Sequence, residues 1–361
     1  AIEIGQAVAA SRELEDDALA ARAGCVLGCA LKAAGRIEEA AAQLETASKL
    51  AGAAGARVEA ELLVAMGDLH ENLGAIEQSR GCYSAALAAA DKIEDPQLRC
   101  AALNGLASAS QRTGDLVCAQ AEFRRALAAA RAAGDRHWEG GVLGNLGGVL
   151  WDMGKLDEAE DTIRQSLQIA REGGDRTWES NALCNLGAIH QAQGRLSESV
   201  AESQSALQAA RVLGHARLEC IVLCNLGLAQ MSFGEPDRAQ QHYEAALSLA
   251  QHLQDRRLQN LFLGYLAQLH ARSGRFDSAR RCITDASTLI DEREDPWSAG
   301  MLRCHQAEVE ALAGQRAAAL GAVEHARRIY TELGAGSQSE LGLALIKVSA
   351  MAEAASAAFE Q

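Results

Sequence analysis

Proline is nearly missing from this chain: three occur in 361 residues, and none sits in a glycine- and serine-rich cluster of the kind that links domains. Length alone allows two or three domains, so the missing linker points to one continuous domain. Lysine is scarce as well, five against 29 arginines, a bias of GC-rich bacterial genomes. Apolar residues make up 48% of the chain, yet no run approaches the roughly 20 residues that cross a bilayer. No charged-then-apolar leader precedes Ala1, so the chain reads as a cytoplasmic protein without membrane contact. Acidic residues outnumber basic ones 48 to 34, and the formal charge of −14 opposes a phosphate backbone, which argues against nucleic acid as a direct partner.

What is present is a repeat. Gly35, Gly74, Gly114, Gly154, Gly194, Gly234, Gly274 and Gly314 recur at a nearly constant interval. The period, about 40 residues, means one supersecondary unit copied head to tail, each unit burying its apolar face only against its neighbours. The clearest copy starts at Gly134. Leu143, Leu146, Gly147 and Leu150 lie on one face of a first helix, by the spacing of a 3.6-residue period. Gly154 sits where a chain reversal wants positive φ. Asp157 and Glu158 then serve as cap and first-turn acids of a second helix, on which Ala159, Ile163, Ser166 and Leu167 face the first. Gly147 and Ala159 let the two backbones approach closely.

Leu143-x2-Leu146-Gly147-x2-Leu150 followed by Ala159-x3-Ile163 resembles the tetratricopeptide repeat, and the match recurs through Leu186-Gly187, Leu226-Gly227 with Ala239 and Tyr243, and Leu266-Ala267 with Ala279 and Ile283. The resemblance implies an all-α, right-handed superhelix of stacked antiparallel helix pairs. The repeat is longer than the family's usual unit and lacks its proline, so both helices are expected to be long. The Asn-Leu-Gly and Gly-Asp-Arg signatures are similar to those of Leu-Gly-Asn repeat adaptors, which bind extended peptides, and of helical sensor arms of large bacterial regulators.

The frame predicts a half-repeat helix over 1–14, eight helix pairs over 15–336 and a capping helix over 337–361, eighteen helices in a single solenoid. In the last of these Leu343 and Ile346 occupy the core slots. A start in mid-repeat is expected of a processed or excised piece, or of a natural cap.

Ten cysteines raise the question of metal or redox chemistry. Cys25, Cys184, Cys224 and Cys304 share one repeat slot that Gly144 also fills, so they read as small packing residues, and thiols spread over helices fit a reducing compartment. Cys25-x3-Cys29 and Cys220-x3-Cys224 pair sulfurs on one face, but no histidine or acid joins them at ligand spacing. His70, His190 and His270 align with Leu150 and read as interior residues. Gly144-x-x-Gly147 lies inside a helix and lacks the strand a dinucleotide site needs. No catalytic residue, cofactor or metal is expected.

Partner recognition is therefore sought on the first-helix face that turns away from the second helix, the face lining the groove in tetratricopeptide arrays. The slot before each Leu-Gly pair reads Val26, Ala65, Gly105, Asn145, Asn185, Asn225, Tyr265 and His305. A row of amides offers donors and acceptors to the backbone of an extended peptide; the alternative is that it ties repeats together. Asn181, Gln191 and Trp151 flank the row, and Ile221, Leu228, Met231, Leu261 and Met301 form an apolar patch suited to a partner. The groove's basic residues, Arg22, Lys32, Arg112 and Arg272, are scattered, and Gly141, Asn181 and Ile221 stand where a chaperone-tail carboxylate clamp would begin. The sequence thus predicts a protein-interaction scaffold binding an extended or helical segment. The alternative is the sensing arm of a larger bacterial regulator, acting on an intramolecular partner domain.

Overall fold

The computed structural model describes residues 16–293, 295–333, 337 and 339–357. Seventeen helices and no strand occur among them; the half-repeat helix expected over 1–14 lies outside the described residues. Eight pairs run in chain order: α1 (Asp17–Ala33) with α2 (Ile37–Ala54), α3 (Ala56–Asn72) with α4 (Ile76–Lys92), α5 (Pro96–Arg112) with α6 (Leu116–Ala133), and α7 (Arg136–Asp152) with α8 (Leu156–Gly173). They continue as α9 (Arg176–Ala192) with α10 (Leu196–Leu213), α11 (Ala216–Ser232) with α12 (Pro236–His252), α13 (Arg256–Arg272) with α14 (Phe276–Ser287), and α15 (Pro296–Leu312) with α16 (Arg316–Glu332). Helix α17 (Glu340–Ala357) follows. Packing divides the chain into two compact units, one running to Arg112 and resuming over Val117–Leu146, the other holding Thr113–Leu116 and the chain from Gly147 onward. Within each unit the fold is the expected all-α stack of helix pairs.

Side-chain size explains the pairing. Ala159, Ile163, Ser166, Leu167 and Ala170 form the buried stripe of α8. Opposite them Gly147 is indispensable, because a Cβ there would lie 2.4 Å from Ile163 Cδ1. The same slot two repeats later sets Gly227 against Tyr243, where a Cβ would lie 2.4 Å from the ring. A large residue on the second helix and glycine on the first thus fill one space between them.

The helices end and begin where local chemistry dictates. Gly154 has φ 72°, and the amide of Lys155 returns to Leu150 O at 2.9 Å to close α7. Asp157 and Glu158 lie in the first turn of α8, but its N-cap is Lys155, which makes no side-chain cap bond. The expected capping role of Asp157 is therefore corrected: the reversal leaves it inside the helix. Side-chain caps fall instead at first helices, as where Asp175 Oδ1 accepts from the amides of Thr177 and Trp178 at 3.1 and 3.0 Å.

Two elements depart from the frame. Helix α14 has 12 residues, not the long second helix expected. Near its end the hydroxyls of Thr284, Ser287 and Thr288 donate to backbone carbonyls three or four residues back, competing with the helix ladder, and Asp291 and Glu292 follow, a poor match to a helix C-terminus. Helix α17 begins later than the repeat frame predicts, with Ser339 Oγ accepting from the amide of Gly342 at 3.2 Å. The delay rotates its core face onto Leu341, Leu345, Val348 and Ala352. Leu343 and Ile346, expected in the core, are 46% and 60% exposed.

All ten cysteines are free thiols, and Cys25, Cys184, Cys224 and Cys304 are buried as expected of packing residues. Burial pushes the thiol pKa of Cys184 and of Cys304 up to about 12, which leaves little reactive thiolate. Of the three aligned histidines, His190 is fully interior, its Nε2 3.4 Å from Glu160, while His70 and His270 are half-buried. No described helix is long and apolar enough to cross a membrane.

Candidate functional site

In the first unit the first helices are tied together by polar side chains. Lys32 Nζ on α1 meets Asp68 Oδ2 on α3 at 2.6 Å. Asp68 Oδ1 also accepts from the Tyr83 hydroxyl at 2.7 Å, and Glu71 Oε2 lies 3.1 Å from the same hydroxyl. Arg112 Nη1 on α5 donates to Glu71 O at 2.6 Å. Asn145, the first of the predicted amide row, donates from Nδ2 to Asn104 Oδ1 on α5 at 2.9 Å.

The second unit has such ties as well. Asn225 Nδ2 on α11 lies 3.5 Å from Cys184 O and 3.4 Å from Cys184 Sγ on α9. His305, in the same slot on α15, packs against Gly264 on α13, where a Cβ would lie 2.5 Å from the imidazole. At Asn145, Asn225 and His305 the slot reaches the preceding first helix, and Asn145 and Asn225 each tie two first helices. Asn185, Asn181 and Gln191 are half-buried, and Trp151 and Ile221 are exposed.

The apolar half of the predicted site comes together around a cavity of about 390 Å³ lined by α11, α13, α15 and α17 and by Tyr243 of α12. Leu228, Met231, Tyr265 and Met301, all named from the sequence, line it. Leu261 does not line it, and packs against the core around Cys220 and Phe262. Met301 is 7% exposed and serves mainly the core beneath α17. Gln268, Glu308 and Lys347, which were not singled out, also line it, as do Tyr243, Arg272, His305 and Leu343, which were named in other roles. Leu343 was expected in the core, and the late start of α17 turns it into the cavity instead.

Three rings stand in sequence on one side. Tyr243 and Tyr265 stack with centroids 5.6 Å apart, and His305 meets Tyr265 edge-on, also at 5.6 Å. Neither nitrogen of His305 has a hydrogen-bond partner among the described residues. Burial drives its pKa down to about 4, against a weaker upward pull from Glu308, so the ring is neutral at pH 7.

Charge gathers at Glu308, which is 1% exposed. Its carboxylate accepts from Gln268 Nε2 at 2.8 Å, Arg272 Nη2 at 2.7 Å and Lys347 Nζ at 3.0 Å. Burial works to raise its pKa, but the bonds and charges of Arg272 and Lys347 outweigh that and hold it below the ordinary carboxylate value. With two cations about one acid and a neutral histidine, the cavity carries a net positive charge.

The repeat frame holds a signal that marks this place. Tyr83 and Tyr243 occupy the same slot of two different repeats, and the positions of Asp68 and Glu71, which accept from the Tyr83 hydroxyl, become Leu228 and Met231. The Tyr243 ring is buried, 2% exposed, and its hydroxyl has lost both acceptors.

A family model of the MalT-like TPR region matches residues 33–214, and a tetratricopeptide repeat model matches residues 178–252. No curated protein matches the chain. Among solved structures, a Rap protein complexed with competence and sporulation factor is 12% identical with a TM-score of 0.63, over 94% of this chain and 99% of that one. The Rap conjugation gene regulator of the plasmid pLS20, solved with the Phr peptide, is 15% identical with a TM-score of 0.58, over 76% of each chain. A signal transduction ATPase with a tetratricopeptide repeat sensor from Pyrococcus horikoshii is 16% identical with a TM-score of 0.57, over 79% of this chain and 43% of that one. At these identities the likeness is one of fold.

Proposed function

This chain belongs to the family of MalT-like TPR regions, and on that premise we propose that it is a non-catalytic interaction module, holding an extended or helical peptide segment along its first helices. The observation that carries the reading is the cavity of the second unit, where Leu228, Met231 and Tyr265 give a partner side chain an apolar seat. Such concave apolar sites with few convergent polar groups are where ligands bind. The ligands named with the two Rap structures, competence and sporulation factor and the Phr peptide, support the same use of the fold. Half-buried Asn181, Asn185 and Gln191 offer amides to the segment's backbone, and exposed Trp151 and Ile221 offer apolar contact. Asn145 and Asn225 serve the segment with whatever hydrogen-bonding capacity their inter-helix ties leave.

A second reading is that the module is the sensing arm of a larger regulator, the bound segment coming from a partner domain of the same protein. The sensor role named for the Pyrococcus ATPase favours it. In either case a cytoplasmic setting accords with ten unpaired thiols, and the charge of −14 accords with a protein rather than a nucleic-acid partner.

The test selects peptides from a displayed random library against the full chain and titrates them against two variants. Leu228→Lys places a charge in the cavity and is expected to weaken binding at least about tenfold. Val212→Lys, on a residue 70% exposed and outside the cavity, leaves affinity unchanged. Peptides that bind both variants equally would move the site elsewhere.

A further inference from the structure

The cavity's polar groups are of one kind. The Tyr243 ring is buried at 2% exposure and lines the cavity, and with Leu228 and Met231 in place of acceptors its O–H is left to water or a ligand there. Arg272 and Lys347 each spend one hydrogen bond on Glu308, and a guanidinium has five N–H donors and an ammonium three. The acid that could serve as acceptor, Glu308, is already engaged by three donors and closed to solvent. Apolar walls with unspent donors and a net positive charge define a complementary ligand: an apolar body ending in an anionic acceptor.

We propose that this cavity is a binding site for an apolar monocarboxylate, its carboxylate taking the Tyr243 hydroxyl and the free donors of Arg272 or Lys347, its hydrocarbon lying against Leu228, Met231 and Leu343. This goes beyond the peptide-groove reading, since the same chemistry is offered by a free aliphatic acid and by the C-terminal residue of a peptide. The paired hydroxyl of Tyr83 is the internal contrast. At Tyr83 the carboxylates of Asp68 and Glu71 satisfy the phenol. At Tyr243 the protein supplies apolar side chains in their place and leaves the acceptor to come from outside.

Calorimetric titration of the full chain with octanoate and N-acetyl-leucine, each beside its neutral amide, tests the proposal. At least one acid is expected to bind about tenfold or more tightly than its amide, the scale of a charge-assisted hydrogen bond. Tyr243→Phe, which removes an unpaired hydroxyl and so leaves the melting temperature in place, is expected to abolish that preference, and Lys347→Met to reduce it. Tighter octanoate binding identifies a free acid, and tighter N-acetyl-leucine binding a peptide chain end; both uphold the proposal. Equal binding of acid and amide, no binding of either acid at millimolar concentration, or full affinity in Tyr243→Phe overturns it. Library peptides that still depend on Leu228 while both acids fail would refute the carboxylate site alone and leave the peptide reading standing.

Discussion

Two tyrosines at one repeat position allow a stability test with an internal control. Tyr83→Phe removes a hydroxyl that donates to Asp68 Oδ1 at 2.7 Å and lies 3.1 Å from Glu71 Oε2. Hydrogen bonds to charged groups contribute about 1.5–3 kcal/mol each, and a carboxylate left short of a donor in a half-buried place loses more than a neutral group would. Lys32 still holds Asp68 at 2.6 Å, which limits the damage, so a loss of about 2 kcal/mol is expected. Tyr243→Phe removes a hydroxyl with no acceptor in place of those two, and its expected cost is near zero. Repeat arrays unfold locally as well as globally, so amide exchange in α3 and α4 for the first variant, and in α11 and α12 for the second, is the proper assay, each against the wild type. Equal losses at the two positions would show that the Tyr243 hydroxyl is already satisfied and would remove the ground for a ligand donor there.

Other outcomes follow from the same geometry. With the His305 pKa pushed down to about 4 from the ordinary 6.5, the unfolded chain binds a proton that the folded chain refuses between those values. Stability from this group is therefore complete above pH 6.5 and falls by up to ~3 kcal/mol as pH drops toward 4. His305→Asn, the residue of the same slot in three other repeats, should flatten that limb in urea unfolding from pH 4.5 to 7, and an unchanged slope would contradict it. Gly227→Ala, whose Cβ would lie 2.4 Å from the Tyr243 ring, should cost about 1–3 kcal/mol by overpacking. Gly81→Ala, in open space on α4, should stabilise by about 0.5–1 kcal/mol; thermal melts of the two must diverge in sign. A double-mutant cycle on Asn104 and Asn145 should give a coupling of about 0.5–1.5 kcal/mol, and additive losses would deny their bond.

The helix pairs were legible because a fixed period repeats one pattern of large and small side chains: Gly147 against Ile163 is visible in sequence as it is in space. Misreadings arose where local chemistry overrode the period. Ser339 starts α17 late and turns Leu343 from core to cavity, and hydroxyl-to-carbonyl bonds with an acidic run shorten α14. Half of the candidate site could be read in advance, since Leu228, Met231 and Tyr265 break a polar pattern with apolar side chains. Glu308, Lys347 and Gln268 could not, because their meaning lies in a contact among three first helices of successive repeats, and one charged residue per helix carries no periodic signal. The Tyr243 contrast was within reach, but only by comparing a slot with its neighbours across two repeats at once.

On the proposed function, partners bind along the first helices of the second unit, at its cavity. Hydrogen–deuterium exchange of the full chain with and without a library-selected peptide tests it most directly. New protection in α11, α13, α15 and α17, absent from α10, α14 and α16, is the predicted result. Protection confined to those second helices, with the cavity helices unchanged, would contradict it.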